Sequence, residues 1–109
     1  MKTNVEIRGN AAVINVAGEI NLYTSPYLRE TIITLVRKKT SIIVVNMRDA
    51  VDIDSSGVAT FVEVLREMSS YGGRLRFVYV SAKVNKVFNF SKLDRFFEIY
   101  TDMEQAVVL

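Results

Sequence analysis

The run Ile42-Ile43-Val44-Val45-Asn46-Met47-Arg48-Asp49-Ala50-Val51-Asp52-Ile53-Asp54-Ser55-Ser56-Gly57 decides how this chain is read. Its first four residues are all β-branched and are bounded by polar ones. Such a run fits a strand buried on both faces, hence central in a sheet and parallel to a neighbour. Its last four residues suit a helix start, because Asp and Ser oxygens accept from the unpaired N–H groups of a first turn. Val58, Phe61, Val62, Leu65 and Met68 then recur on one helical face, which predicts a helix over about 55–70. Gly72-Gly73 stops it, since glycine tolerates the left-handed conformation that ends helices. Leu75 to Val80 reads as a second strand. Strand, helix and strand in this order form a right-handed parallel crossover.

The flanks extend the pattern. Val5 and Ile7 alternate with polar residues, as do Val13 and Val16 farther on, and Gly9-Asn10 between them is a two-residue hairpin signal. Antiparallel strands are expected at about 3–8 and 11–17. Ser25-Pro26 opens a helix, with Ser as cap and Pro in the first turn; Leu28, Ile32, Leu35 and Val36 make its apolar face. Ser81 can cap a third helix carrying Val84, Val87 and Phe88. Phe96 to Tyr100 suits a short edge strand. Thr101 with Glu104 is a capping-box pattern for a last helix through Ala106 and Val107. Met47, Met68 and Met103 read as core filler. The expectation is an α/β fold: a single domain over residues 1–109, with a mixed four- to five-stranded sheet and about four helices.

Composition narrows the chemistry. The chain has 109 residues, which suits one domain. Half are hydrophobic and one is proline, which argues against disorder. There is no Cys and no His, so disulfides, zinc sites built on those residues, thiol nucleophiles and a Ser-His-Asp triad are excluded. The net charge is only +2. The basic residues are split evenly between the two halves; their one run, Arg37-Lys38-Lys39, suits a helix C-terminus. No basic stripe interleaves with aromatics, so no direct nucleic-acid role is expected. The longest aliphatic run is about strand length, and Met1 to Glu6 has no signal-like apolar core, so no membrane role and a cytoplasmic location are expected.

The turn Asp54-Ser55-Ser56-Gly57 can be a plain helix cap or something more. It lacks the flanking glycines of a nucleophile elbow and the Gly-Lys-Ser/Thr of a phosphate loop. Asp49, Asp52 and Asp54 could offer oxygens to Mg²⁺, but strand alternation sends them to different sides. No metal and no cofactor are therefore expected. No base and nucleophile pair is evident, which argues against an enzyme.

Four segments carry a resemblance to a known family: Ala17-Gly18-Glu19-Ile20-Asn21, a turn after the second strand; Val44 to Asp49 through Ile53 to Gly57; Tyr71-Gly72-Gly73-Arg74-Leu75; and Ser81 to Phe97 with Val84, Val87, Phe88, Leu93-Asp94 and Phe97. In order and spacing they resemble the STAS domain of bacterial anti-sigma factor antagonists, across nearly the whole chain. The resemblance implies a binding protein that engages an anti-sigma factor in its unphosphorylated form and so releases a sigma factor. The partners implied are an anti-sigma factor with serine kinase activity, which phosphorylates the Ser after the Asp, and a serine phosphatase that reverses it. On this chain the acceptor would be Ser55, with a partner-binding surface of Asn21, Tyr23, Thr24, Asp54, Ser55, Ser56, Gly57 and Thr60, and the chain a monomer when free. Outward residues of the second helix, Glu63 and Glu67, could join that surface. Asn21 departs from the Asp of many relatives, and Ser91 stands near a frequent Gly. The competing expectation is a STAS scaffold or regulatory subunit that keeps the turn only as a cap.

Overall fold

A computed structural model describes residues 1–108. Strand β1 (Lys2–Arg8) turns at Gly9, whose φ of +62° only glycine adopts freely, into β2 (Ala11–Ile20). There follow α1 (Ser25–Arg37), β3 (Ile42–Ile53), α2 (Ser55–Ser69), β4 (Arg74–Val78), α3 (Ala82–Phe90), β5 (Glu98–Tyr100) and α4 (Met103–Ala106). The strands form one sheet in the order β1-β2-β3-β4-β5. The β1–β2 pair is antiparallel and every other pair is parallel. Right-handed crossovers that always step in one direction put their helices on one face. Accordingly α1, α2 and α3 pack together on the face carrying Ile14, Ile43, Val45, Met47 and Phe77. The opposite face, with Val13, Ile42, Val44 and Val78, is covered through Met103 and Ala106 of α4.

The helix-side core centres on Phe77. Its ring lies 4.9 Å from Phe61 in an edge-on contact, 5.3 Å from Phe88 and 4.9 Å from Phe97. Such pairs add to plain area burial. On the other face Arg76 is buried, which the sequence did not signal. One of its Nη groups donates to the Ala106 carbonyl at 3.0 Å and to that of Val108. Its guanidinium also faces Glu98 and lies over the Tyr100 ring. A four-residue helix cannot hold itself together; Arg76 fastens α4 to the sheet.

Several boundaries differ from the sequence expectation. β2, expected to end near residue 17, continues through 18–20, where a turn was expected, and pairs with β3: Ala17 with Asp49, Gly18 with Ala50, Glu19 with Asp52, Ile20 with Ile53. Two register shifts interrupt this stretch, and they break the period-two pattern that would have revealed it. β4 stops at Val78 because Tyr79 takes a φ of +59°. Ser25 does not cap α1: the cap position is Thr24, without a side-chain cap bond, and Ser25 is buried. Asp102, not Thr101, caps α4 by accepting from Glu104 N. Ser81 does cap α3, accepting from Val84 N. Ser91 sits in right-handed geometry after α3 while Lys92 takes the positive φ, so a serine there is unstrained.

Phe77→Ala should lower unfolding free energy by about 3–5 kcal/mol, the usual cost of emptying a core aromatic site. Urea denaturation with an unchanged m-value would check it; a loss near that of a surface substitution would contradict the packing described.

Candidate functional site

The parallel pairing of β2 with β3 ends at Ile20 and Ile53, and the next residue, Asp54, donates its N–H to the Ile20 carbonyl at 3.0 Å. Asp54 is then the N-cap of α2 in extended geometry. Its Oδ1 accepts from Ser56 N at 2.9 Å, Ser56 Oγ at 2.5 Å and Gly57 N at 3.2 Å. Its Oδ2 accepts from Leu22 N at 3.2 Å. One carboxylate thus ties the head of α2 to the loop after β2. The Ser56 hydroxyl, with the N–H groups of Gly57, Ser56 and Leu22, outweighs slight burial and holds Asp54 below the usual carboxylate range.

That loop is built on Asn21. Its Oδ1 accepts from Tyr23 N at 2.9 Å and Thr24 N at 3.1 Å, and its N–H donates to Thr24 Oγ1 at 2.8 Å. Thr24 Oγ1 donates in turn to the Glu19 carbonyl. The turn asks residue 21 for an acceptor and not for a charge, which an amide oxygen supplies as well as a carboxylate would.

The two serines differ. Ser55 is exposed, opens α2, and its hydroxyl makes no hydrogen bond among the described residues. Ser56 is half-buried; its hydroxyl donates to Asp54 and accepts from the buried Ser25 Oγ at 3.4 Å. In the adjoining loop and the first turn of α1, Leu22, Tyr23 and Tyr27 are 66%, 81% and 74% exposed. Leu22 and Tyr27 were not singled out in the sequence, although Tyr27 falls off the apolar stripe of α1 and could have been. Tyr23 stands at the surface as expected, while Asn21 and Thr24 are half-buried in the turn.

Gly57 and Thr60 do not belong to an exposed surface. Both are buried on α2, Gly57 toward the ends of β2 and β3, and Thr60 on the line of Ser56 and Glu63, which meet Ser25 and Arg29 of α1. A Cβ at Gly57 would come within 2.7 Å of Ile20 Cγ2 and of Ile53 Cγ1. Thr60 is 7% exposed and donates its hydroxyl to the Ser56 carbonyl. Glu63 forms a two-pronged ion pair with Arg29 of α1 at 2.7 and 2.5 Å, and Glu67 is exposed. Asp52 pairs with Lys83 at 3.3 Å, and Asp49 lines a groove with Lys2, Asn4 and Asn15. Asp49 therefore lies apart from Asp54; Asp52 and Asp54 border one shallow depression, but among the described residues no three acidic side chains gather for a metal. The depression between Asn21 and Asp54 holds only about 80 Å³, too small for a nucleotide-sized ligand when such pockets run to roughly 300–1,000 Å³. What the site offers is an unencumbered hydroxyl at a helix N-terminus, next to a loop that exposes apolar side chains.

The STAS domain family model matches residues 2–106, and the chain belongs to that family. It is 28% identical over 109 residues to the anti-sigma-B factor antagonist of Bacillus subtilis, covering 98% of this chain and 99% of that one. The anti-sigma factor antagonist SpoIIAA in its unphosphorylated form is 27% identical with a TM-score of 0.82, covering 95% and 92% of the two chains. The Bacillus cell fate determinant SpoIIAA in its phosphorylated form is 26% identical with a TM-score of 0.74, covering 95% and 96%. An anti-sigma factor antagonist from Mycobacterium paratuberculosis shares the fold, with a TM-score of 0.88 at 22% identity over 97% of this chain and 90% of that one.

Two substitutions test the local construction. Gly57→Ala should cost about 1–3 kcal/mol of stability, because the added methyl meets two isoleucine side chains. Asp54→Ala should cost about 1 kcal/mol at neutral pH by uncapping α2. Because the folded-state pKa of Asp54 is depressed, its contribution is present above the unfolded carboxylate pKa and is lost as pH falls through the folded one. The gap between wild type and Asp54→Ala in denaturant titrations should therefore narrow in acid. A gap that stayed constant with pH would assign the loss to something other than the carboxylate.

Proposed function

We propose that this STAS domain, extending over residues 1–109, is a cytoplasmic anti-sigma factor antagonist: a binding protein, not an enzyme, switched at Ser55. The observation that carries the reading is the contrast between the two serines. Ser55 presents a free, exposed hydroxyl, whereas that of Ser56 is bonded to Asp54 and Ser25. A kinase needs the first kind. The relatives named as anti-sigma factor antagonists, one of them known in a phosphorylated form, support the same reading. The partner is an anti-sigma factor with serine kinase activity, and a serine phosphatase restores the unmodified chain. Leu22, Tyr23 and Tyr27, with Asn21, Thr24, Asp54, Ser55 and Ser56, form the docking surface. Gly57 and Thr60 act from behind it by seating α2.

The switch works at the interface and leaves the fold intact. A phosphate on Ser55 adds about −1.5 to −2 charges. At a helix N-terminus such charge is favoured by about 0.3–1 kcal/mol, so the domain stays folded. The partner face feels the opposite effect, because a dianion beside Asp54 is costly to desolvate against a docked protein. A hundredfold loss of affinity needs only about 2.7 kcal/mol, within reach of like-charge juxtaposition.

Affinity capture followed by mass spectrometry tests this, with wild type, Ser55→Ala and Ser55→Asp as baits. Wild type and Ser55→Ala should retain an ATP-binding anti-sigma kinase that Ser55→Asp releases. If all three retain the same partner, the turn is only a cap and the chain is a scaffold subunit. Kinase labelling that survives Ser55→Ala and disappears in Ser56→Ala would move the acceptor to Ser56.

A further inference from the structure

The free edge of the sheet carries a second surface. β1 pairs with β2 without a break from Lys2–Ala17 to Arg8–Ala11, and among the described residues nothing pairs with its outer side. It has seven residues and no proline or bulge. Open edges of this length are templates for another strand unless their charges repel it. Val5 and Ile7 are 41% and 70% exposed on one face. Lys2, Asn4, Glu6 and Arg8 share the other face by alternation. There, Asn46 Nδ2 donates to Asn15 Oδ1 at 2.8 Å, and Asn15 Nδ2 donates to Asn4 Oδ1 at 2.8 Å. This amide ladder crosses three strands in one direction and ends at the edge, where the Asn4 amide N–H groups have no partner among the described residues. Lys2 and Glu6 likewise enter no ion pair there.

We propose that β1 pairs antiparallel with β1 of a second copy, about a two-fold axis at Asn4, joining two five-stranded sheets into one. The side chains select this register. With Asn4 opposite Asn4, each Lys2 faces the partner's Glu6 and each Thr3 faces Val5. The ladder reverses direction at the axis, where each Asn4 Nδ2 donates to the second lone pair of the partner's Oδ1, the first being taken by Asn15. An axis at Val5 sets Lys2 against Arg8, and an axis at Glu6 sets two glutamates together; both oppose like charges, which is unfavourable across strands. A one-residue offset sets Lys2 and Asn4 against Ile7 and Val5 and loses every match. The charges that repel a generic strand thus admit a copy of this one. The contact is small for an interface, so the chain is monomeric at low concentration and pairs as concentration rises. None of these residues belongs to the Ser55 surface.

Sedimentation velocity on the full chain, from micromolar to millimolar concentration, tests the proposal. Wild type should show a concentration-dependent dimer. Glu6→Lys and Lys2→Glu each place like charges opposite one another twice and should raise the dimer Kd about tenfold or more. An equimolar mixture of these two variants should form a heterodimer, because both charged positions of one variant then face the opposite sign on the other. Asn4→Asp, with two carboxylates at the axis, should also weaken the dimer, and Ser55→Asp should not. A wild type that stays monomeric through the millimolar range would overturn the proposal. So would a dimer indifferent to the single reversals, or single variants that remain monomeric when mixed.

Discussion

Burial of β3 on both faces is the constraint from which the architecture follows. Ile42, Ile43, Val44 and Val45 have no exposed side-chain surface. A strand buried in this way needs a layer above and a layer below. Three right-handed crossovers supply the upper layer through α1, α2 and α3. They leave the lower face to α4, a helix too short to be stable alone. Burying Arg76 among the carbonyls of the α4 segment, beside Glu98, solves that problem electrostatically where apolar area is scarce. A buried cation is tolerated when it is paired and hydrogen-bonded; here the carbonyls that need holding down take one Nη, while Nε faces Glu98 at 3.5 Å without a hydrogen bond.

The candidate site depends on the same strand one stage later. Open α/β sheets place their functional residues beyond the carboxyl ends of the strands, and β3 runs directly into Asp54. Because β2 and β3 stay paired to Ile20 and Ile53, the loop at Asn21 and the head of α2 are brought side by side, and Asp54 joins them. Gly57 lets α2 approach without a side chain in the way. The outcome is a rigid platform that leaves the Ser55 hydroxyl unencumbered. A modification there alters the charge of a surface whose shape is already fixed by backbone hydrogen bonds.

The two surfaces differ in kind. Beside Asp54, the proposed docking surface relies on the exposed side chains of Leu22, Tyr23 and Tyr27. Along β1 the recognition elements are backbone groups and a period-two set of charges and amides. Recognition of that sort is specific to sequence register, and it is met most simply by a strand with the same sequence running the other way.

Legibility in the sequence followed the range of the interactions. The sheet, the crossover helices and the order of elements were readable because β-branched runs, apolar periodicity and Gly or Pro punctuation are local. Asp54 as cap and Ser81 as cap were readable for the same reason, and the STAS resemblance rested on those local signatures. The continuation of β2 and β3 through residues 17–20 and 49–53 was hidden, because bulges break the alternation that reveals a strand. Ser25 and Thr101 looked like caps by residue type alone, yet neighbouring Thr24 and Asp102 hold those positions. Gly57 and Thr60 looked like surface residues because they adjoin the serine turn. Only the closeness of Ile20 and Ile53, neither of them a helical neighbour of Gly57, places that glycine inside. The sequence by itself determined the order and type of the elements, though not the full length of β2 and β3, and that an acidic serine turn caps a helix. Tertiary structure decided which serine is free, which side chains surround it, and why an arginine is buried, since each rests on residues roughly thirty positions apart meeting in space.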